Sequence, residues 1–90
     1  MLKFEWDENK NIKNKEKHKI SFQTAEYVFL DPRARKKFDR ISNKEERYHI
    51  IGKILDTIVV TVVYTTRNQN IRIISARKAN KKEKLFYENQ

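Results

Sequence analysis

Ile58-Val59-Val60-Thr61-Val62-Val63-Tyr64 (IVVTVVY) is the longest apolar run in the chain and is β-branched at every position but its last. Apolar on both faces, it reads as a central strand. A run of this length is far too short to cross a membrane. Tyr48-His49-Ile50-Ile51-Gly52-Lys53-Ile54 precedes it across Leu55-Asp56-Thr57, a hairpin-length link. Ile71 to Ser75 follows across Thr66-Arg67-Asn68-Gln69-Asn70, which are turn formers. Three consecutive strands on short loops predict an antiparallel meander.

The flanks supply helices. Leu2-Lys3-Phe4-Glu5-Trp6 alternates with period two, a short edge strand with Leu2, Phe4 and Trp6 on one face. Asp7 then caps a helix over residues 8 to 18, whose only strongly apolar residue is Ile12, so Lys10, Lys13, Lys15 and Lys17 are expected in solvent. Ser21 caps a second helix that turns Phe22, Ala25, Val28 and Phe29 to a core and stops at Asp31-Pro32. Residues 33 to 46 have weak periodicity and read as a short strand near Arg35 to Phe38 followed by a loop. Arg77 to Glu88 reads as a last helix with Ala79, Lys82 and Phe86 on one stripe. The expectation is one α+β domain over residues 1 to 90: a small antiparallel sheet with N-terminal helices and a C-terminal helix packed on it.

Composition narrows the function. Twenty-one Lys and Arg against twelve Asp and Glu give a net charge of +9 on 90 residues, a field that favours polyanions. There is no Cys, which removes disulfides and thiol chemistry and fits a reducing cytosol. The charged N-terminus has no apolar core of a signal peptide, so a soluble cytoplasmic protein without membrane contact is expected.

Conventional catalytic constellations are missing. His18 and His49, the only histidines, belong to no metal-ligand cluster, so neither a metal nor a cofactor is expected. A phosphate cradle of the P-loop kind needs several glycines, and Gly52 is the only one. What remains is a cationic set at element ends: Lys10, Arg47, Arg67, and Arg77 with Lys81 at the expected start of the last helix. The guanidinium fork suits a phosphate because it donates paired hydrogen bonds and stays charged. A cation in the first turn opposes the helix dipole, so Arg77 there would be costly unless it helps the free N–H groups hold an anion. The plain alternative pairs Arg77 with Glu45 or Glu46. Tyr64, Tyr87 and Trp6 are aromatics that could stack a base.

Several stretches together resemble the BrnT family of toxins: Phe4 to Asn11, Lys17-His18 with Ser21-Phe22, Val28 to Pro32, Glu46-Arg47-Tyr48 with Ile51-Gly52, Val63-Tyr64-Thr65 with Arg67, and Ile71 to Ala79. The resemblance spans nearly the whole chain in order. It implies a RelE-like α+β fold and a metal-independent endoribonuclease that halts translation. It also implies a BrnA-like antitoxin with a ribbon-helix-helix domain, in a heterotetramer or larger complex that meets operator DNA only through the antitoxin. On this resemblance Lys10, Arg67 and Arg77 are the catalytic candidates, and Arg47, Tyr64, Arg72 and Lys81 the substrate-binding ones. Arg77→Ala is expected to abolish activity and leave folding intact. Two departures stand out. Lys19 follows His18 where the family usually has glycine, and residues 33 to 46 are basic where the family is often acidic. Two other readings stay open, a basic nucleic-acid-binding module without catalysis and a scaffold that only meets an acidic antitoxin.

Overall fold

In the computed structural model, which describes residues 2–90, the apolar runs become the middle of a larger sheet. The chain forms β1 (Phe4–Glu5), α1 (Glu8–His18) and α2 (Phe22–Ala25), which continues into a 3-10 segment (Glu26–Leu30). Then come β2 (Arg35–Ser42), β3 (Glu45–Ile54), β4 (Ile58–Arg67), β5 (Asn70–Lys78) and α3 (Lys81–Glu88). The strand order is β1-β5-β4-β3-β2. Strands β2 to β5 make an antiparallel meander, and β1 joins its edge parallel to β5. The fold is the expected α+β one, with IVVTVVY at its centre.

One expectation fails between residues 33 and 46. The expected loop is a hairpin, with Ser42 opposite Glu45 and only Asn43-Lys44 between them. Both turn residues are left-handed, at φ 51° and 64°, as a two-residue type I′ turn requires. The turn was hidden because Lys stands where Gly normally marks it.

The main core lies on one face, where α2 and the 3-10 segment bury Phe22, Ala25 and Val28 against Ile50, Val60, Val62 and Ile73. Aromatic rings run across that face: Phe4 on Phe29, Phe29 on Tyr64, and Tyr64 stacked on Tyr48 at 5.7 Å. Gly52 sits where the chain approaches itself, since a Cβ there would lie 3.0 Å from Ala34 Cβ and 3.1 Å from both Asp31 Oδ2 and Val28 Cγ1.

Helix α1 is attached differently. Asp7 accepts from Asn9 and Lys10 backbone N–H groups, the expected cap. Ile12 is exposed, and the helix turns Asn11 and Asn14 inward instead. Asn14 donates to the Ile20 and Ala76 carbonyls and accepts from Ala76 N–H, pairing the β5 edge as a strand would. Asn11 accepts from Phe22 N–H and donates to Glu8 and Gln23. The helix ends on Lys19, left-handed at φ 63°, in the position where glycine is the least strained residue.

The last helix is shorter than predicted. It begins at Lys81, with Asn80 as N-cap in a capping box with Glu83. Starting the helix four residues later moves its inward stripe to Glu83 and Tyr87, so Lys82 is exposed and Phe86 half-buried. Arg77 is therefore a strand residue opposite Thr61, and the dipole opposition expected of it does not exist.

Candidate active site

Side chains directly opposite one another in a sheet share a face, and alternate residues along each strand return to it. Across the meander Arg35 lies opposite Ile51, Ile51 opposite Thr61, and Thr61 opposite Arg77. Lys37 lies opposite His49, then Val63 and Ser75. Arg40 lies opposite Arg47, Thr65 opposite Arg72, and Arg67 opposite Asn70. The face away from the main core is thus lined by arginines from four strands. Helix α3 covers one end of it, where Ala79, Phe86 and Tyr87 pack on Ile51 and Val59. The rest is open.

The arginines are held in place by carboxylates. Arg67 donates from Nε and Nη2 to Glu45 at 2.6 and 2.9 Å, and Arg72 donates to Glu5 at 2.9 Å. Arg77 grips Glu83 with both terminal nitrogens at 2.7 and 2.8 Å. The guanidinium at Arg67 holds Glu45 below the usual carboxylate range, and Asn70 then Arg72 do the same for Glu5. Burial pushes the Glu83 carboxyl up, but hydrogen bonds from Arg77 and then the Asn80 backbone outweigh it, and the group ionises at about 2. A fork bonded on one side keeps further donors for a second anion. The three side chains are 46%, 25% and 33% exposed for Arg67, Arg72 and Arg77, so their outer edges remain reachable.

Around Glu83 the face has a polar interior that the sequence did not reveal. His49 Nε2 is 3.4 Å from Asp39, and its Nδ1 is 4.0 Å from Glu83. A bulge between Phe38 and Arg40 places Asp39 there. Arg47 Nε, His49 Nδ1 and Thr61 Oγ are buried without a hydrogen-bond partner. The signal that could have flagged them is alternation: His49 follows Arg47 by two residues on one strand, so the two share a face.

Of the candidates drawn from the sequence, the structure gathers Arg47, Arg67, Arg72 and Arg77 on this one face. Arg77 pairs with Glu83 rather than Glu45 or Glu46, and the carboxylate of Glu83 occupies the helix start where a phosphate was expected. Lys81 opens α3 and is exposed. Lys10 lies elsewhere, on α1, where with Lys13, Lys17 and His18 it lines a depression at the β5 edge. Tyr64 departs from the expectation: it is 5% exposed and packed between Phe29 and Tyr48 on the opposite face, so its ring is a core element rather than an open stacking surface. Tyr87 is also buried, its hydroxyl donating to Asp31. Trp6 packs edge-on against Phe22 at 6.0 Å. Among the described residues no group of three His, Cys, Asp or Glu is arranged to hold a metal ion. No helix among them is long and apolar enough to cross a membrane.

Fold and face together define a small cationic α+β protein with an open sheet surface of carboxylate-oriented arginines. The chain belongs to the family described as the ribonuclease toxin, BrnT, of type II toxin–antitoxin systems, whose profile matches residues 6–83. It is similar to the Brucella abortus ribonuclease toxin, BrnT, known from a crystal structure, with 25% identity and a TM-score of 0.68 over 90% of this chain and 100% of that one. No curated protein matches the chain. Membership implies an RNA target and an antitoxin partner.

Proposed function

We propose that this protein is a metal-independent endoribonuclease that cuts RNA in the cytoplasm to inhibit translation. A BrnA-like antitoxin neutralises it in a heterotetramer or larger complex, and its ribbon-helix-helix domain supplies all contact with operator DNA. The observation that carries the reading is the convergence of Arg47, Arg67, Arg72 and Arg77 on one open sheet face. Cleavage of this kind uses the 2′-hydroxyl as nucleophile on the adjacent phosphate, and the enzyme's task is to position that phosphate and stabilise the charge that grows on it. Arg67 and Arg77, each already fixed by a carboxylate, fill that role without having to reorganise. Arg47, Arg72 and Lys81 hold the flanking strand. Lys10 serves as a proton carrier or as a further phosphate contact.

The test is RNA incubated in excess EDTA with wild type and with Arg67→Ala. Arg67 suits the test because its pair with Glu45 is exposed, and exposed pairs contribute only about 0–1 kcal/mol to folding. Wild type should cut, and the variant should lose about 100- to 1000-fold in rate, as expected when one oriented donor to the developing charge is removed. Cutting that stops in EDTA would end the metal-independent reading. Binding of RNA with no cutting at all would leave a nucleic-acid-binding module.

A further inference from the structure

Helix α1 meets the protein through Asn11 and Asn14, its buried residues. Residues three and four apart on a helix stand next to one another on its surface. Lys10, Lys13, Lys17 and His18 follow that spacing, so they form one basic stripe beside Asn14, with the three lysines exposed. Together with Ile74 they line a depression of about 230 Å³ over the edge of β5, whereas Ile12, the one strongly apolar residue, faces solvent at 50% exposure. Two asparagines hold the helix on the protein, so the stripe is not needed for packing.

The arrangement works against folding. Like charges three and four residues apart repel, as Lys10 with Lys13 and Lys13 with Lys17 must. Lys17 and His18 gain from the C-terminal end of the helix dipole, but Lys10 sits in the first turn, where the dipole opposes it. No carboxylate lines the depression, and none of the three lysines forms an ion pair among the described residues. The arginine face is the contrary case, with each of three arginines holding its own glutamate. Ile74 is in the depression because the β4–β5 register slips there, with Val63 opposite Ser75 but Tyr64 opposite Ile73. Such a bulge turns its extra residue out of the ladder. Strand β5 thus carries Arg72 and Arg77 on the arginine face and Ile74 in the notch.

From this we infer that the α1 notch binds a backbone phosphate of the RNA strand whose cleavage is proposed above, and rests on that reading for the identity of the strand. Lys10, Lys13 and Lys17 act as point charges, and His18 as an N–H donor. The strand then crosses β5 from the notch to the arginines. Lys10 is on this account a phosphate contact, not a proton carrier.

The test uses the full chain and a single-stranded 2′-O-methyl RNA oligonucleotide, which has no free 2′-hydroxyl and cannot be cut. Binding is followed by fluorescence anisotropy over a range of salt concentrations. Lys13→Gln with Lys17→Gln removes two notch charges. Lys44→Gln with Lys84→Gln removes the same charge from an exposed turn and from the outer side of α3. The notch pair should lower the slope of log K against log salt by about 1.4, equivalent to about tenfold weaker binding at physiological salt, with the control pair unchanged in slope. Equal losses in the two pairs would overturn the proposal, because net charge alone would then explain them. So would unaltered RNA binding with loss of binding to an acidic antitoxin. The His18 ring resonances should follow the oligonucleotide titration, and a response to inorganic phosphate but not to the oligonucleotide would assign the notch to a free anion and overturn it as well. If the notch pair behaves as expected but wild type never cuts ordinary RNA, the ribonuclease reading fails and the phosphate site stands.

Discussion

Glu83→Gln keeps the shape of a buried side chain and removes its charge. In the folded protein Glu83 ionises at about 2 against an ordinary 4.5, held there by Arg77 and the Asn80 backbone against the opposing effect of burial. At about 1.4 kcal/mol per pH unit, that gap corresponds to about 3 kcal/mol of stability at neutral pH. The sign follows from the depressed value. The contribution is complete above the unfolded value of 4.5 and is lost as the pH falls from there toward about 2. Glutamine cannot titrate, so the variant lacks the contribution throughout, and its stability should meet that of wild type near pH 2. In a domain of this size the loss corresponds to roughly 12 to 24 °C in Tm at neutral pH. Urea unfolding followed by circular dichroism across the acid range measures both quantities. A variant within about 1 kcal/mol of wild type at neutral pH would refute the reasoning, as would a difference that does not shrink on acidification. The same pair argues against the expectation that Arg77→Ala spares the fold: the variant would leave a buried carboxylate without its partner, at a predicted loss on the order of 3 kcal/mol.

Three further outcomes follow from single contacts. Asn14→Ala removes two donated bonds and one accepted bond that tie α1 to Ile20 and Ala76, and should lower unfolding free energy in urea by about 3 kcal/mol. Gly52→Ala drives a methyl to 3.0 Å from Ala34 Cβ, and should cost about 1–3 kcal/mol in the same assay. Lys19→Gly relieves a non-glycine residue at φ 63° and should raise Tm by several degrees, equivalent to about 1 kcal/mol.

What the sequence disclosed follows its periodicity. The apolar runs at 48–54, 58–65 and 71–75 gave their strands because alternation and β-branching agree there, and Asp7 and Ser21 marked their helices because a side-chain oxygen caps each one. Only the first half of strand β2, Arg35 to Phe38, was legible, because Arg35-Lys36-Lys37-Phe38-Asp39-Arg40-Ile41-Ser42 lies at the sheet edge, where charge replaces apolar alternation. The start of α3 was misplaced because Arg77 and Lys78 are good helix formers that tertiary pairing holds in a strand. Arginine positions were legible as a set, but their common face was not, since it depends on the register of β2 on β3 and on the bulge that shifts Arg72 against β4. The inward asparagines of α1 left no hydrophobic signal to read.

The pairing of arginines with glutamates looks at first like an argument against a polyanion site, since Glu5, Glu45 and Glu83 cancel three of the charges on the face. The division of labour on this surface points the other way. Long-range attraction depends on net charge, and the lysines of α1, which are unpaired among the described residues, supply it. Chemistry on a phosphate depends instead on donors that are already oriented, because ordering a free arginine on binding costs side-chain entropy of about 1.5–2 kcal/mol. A glutamate on one edge of each guanidinium removes that cost in advance and leaves donors on the opposite edge able to bond a second anion. Neutralised arginines beside uncompensated lysines are therefore what a surface needs if it must first draw in a strand of RNA and then hold one phosphate of it in a fixed geometry.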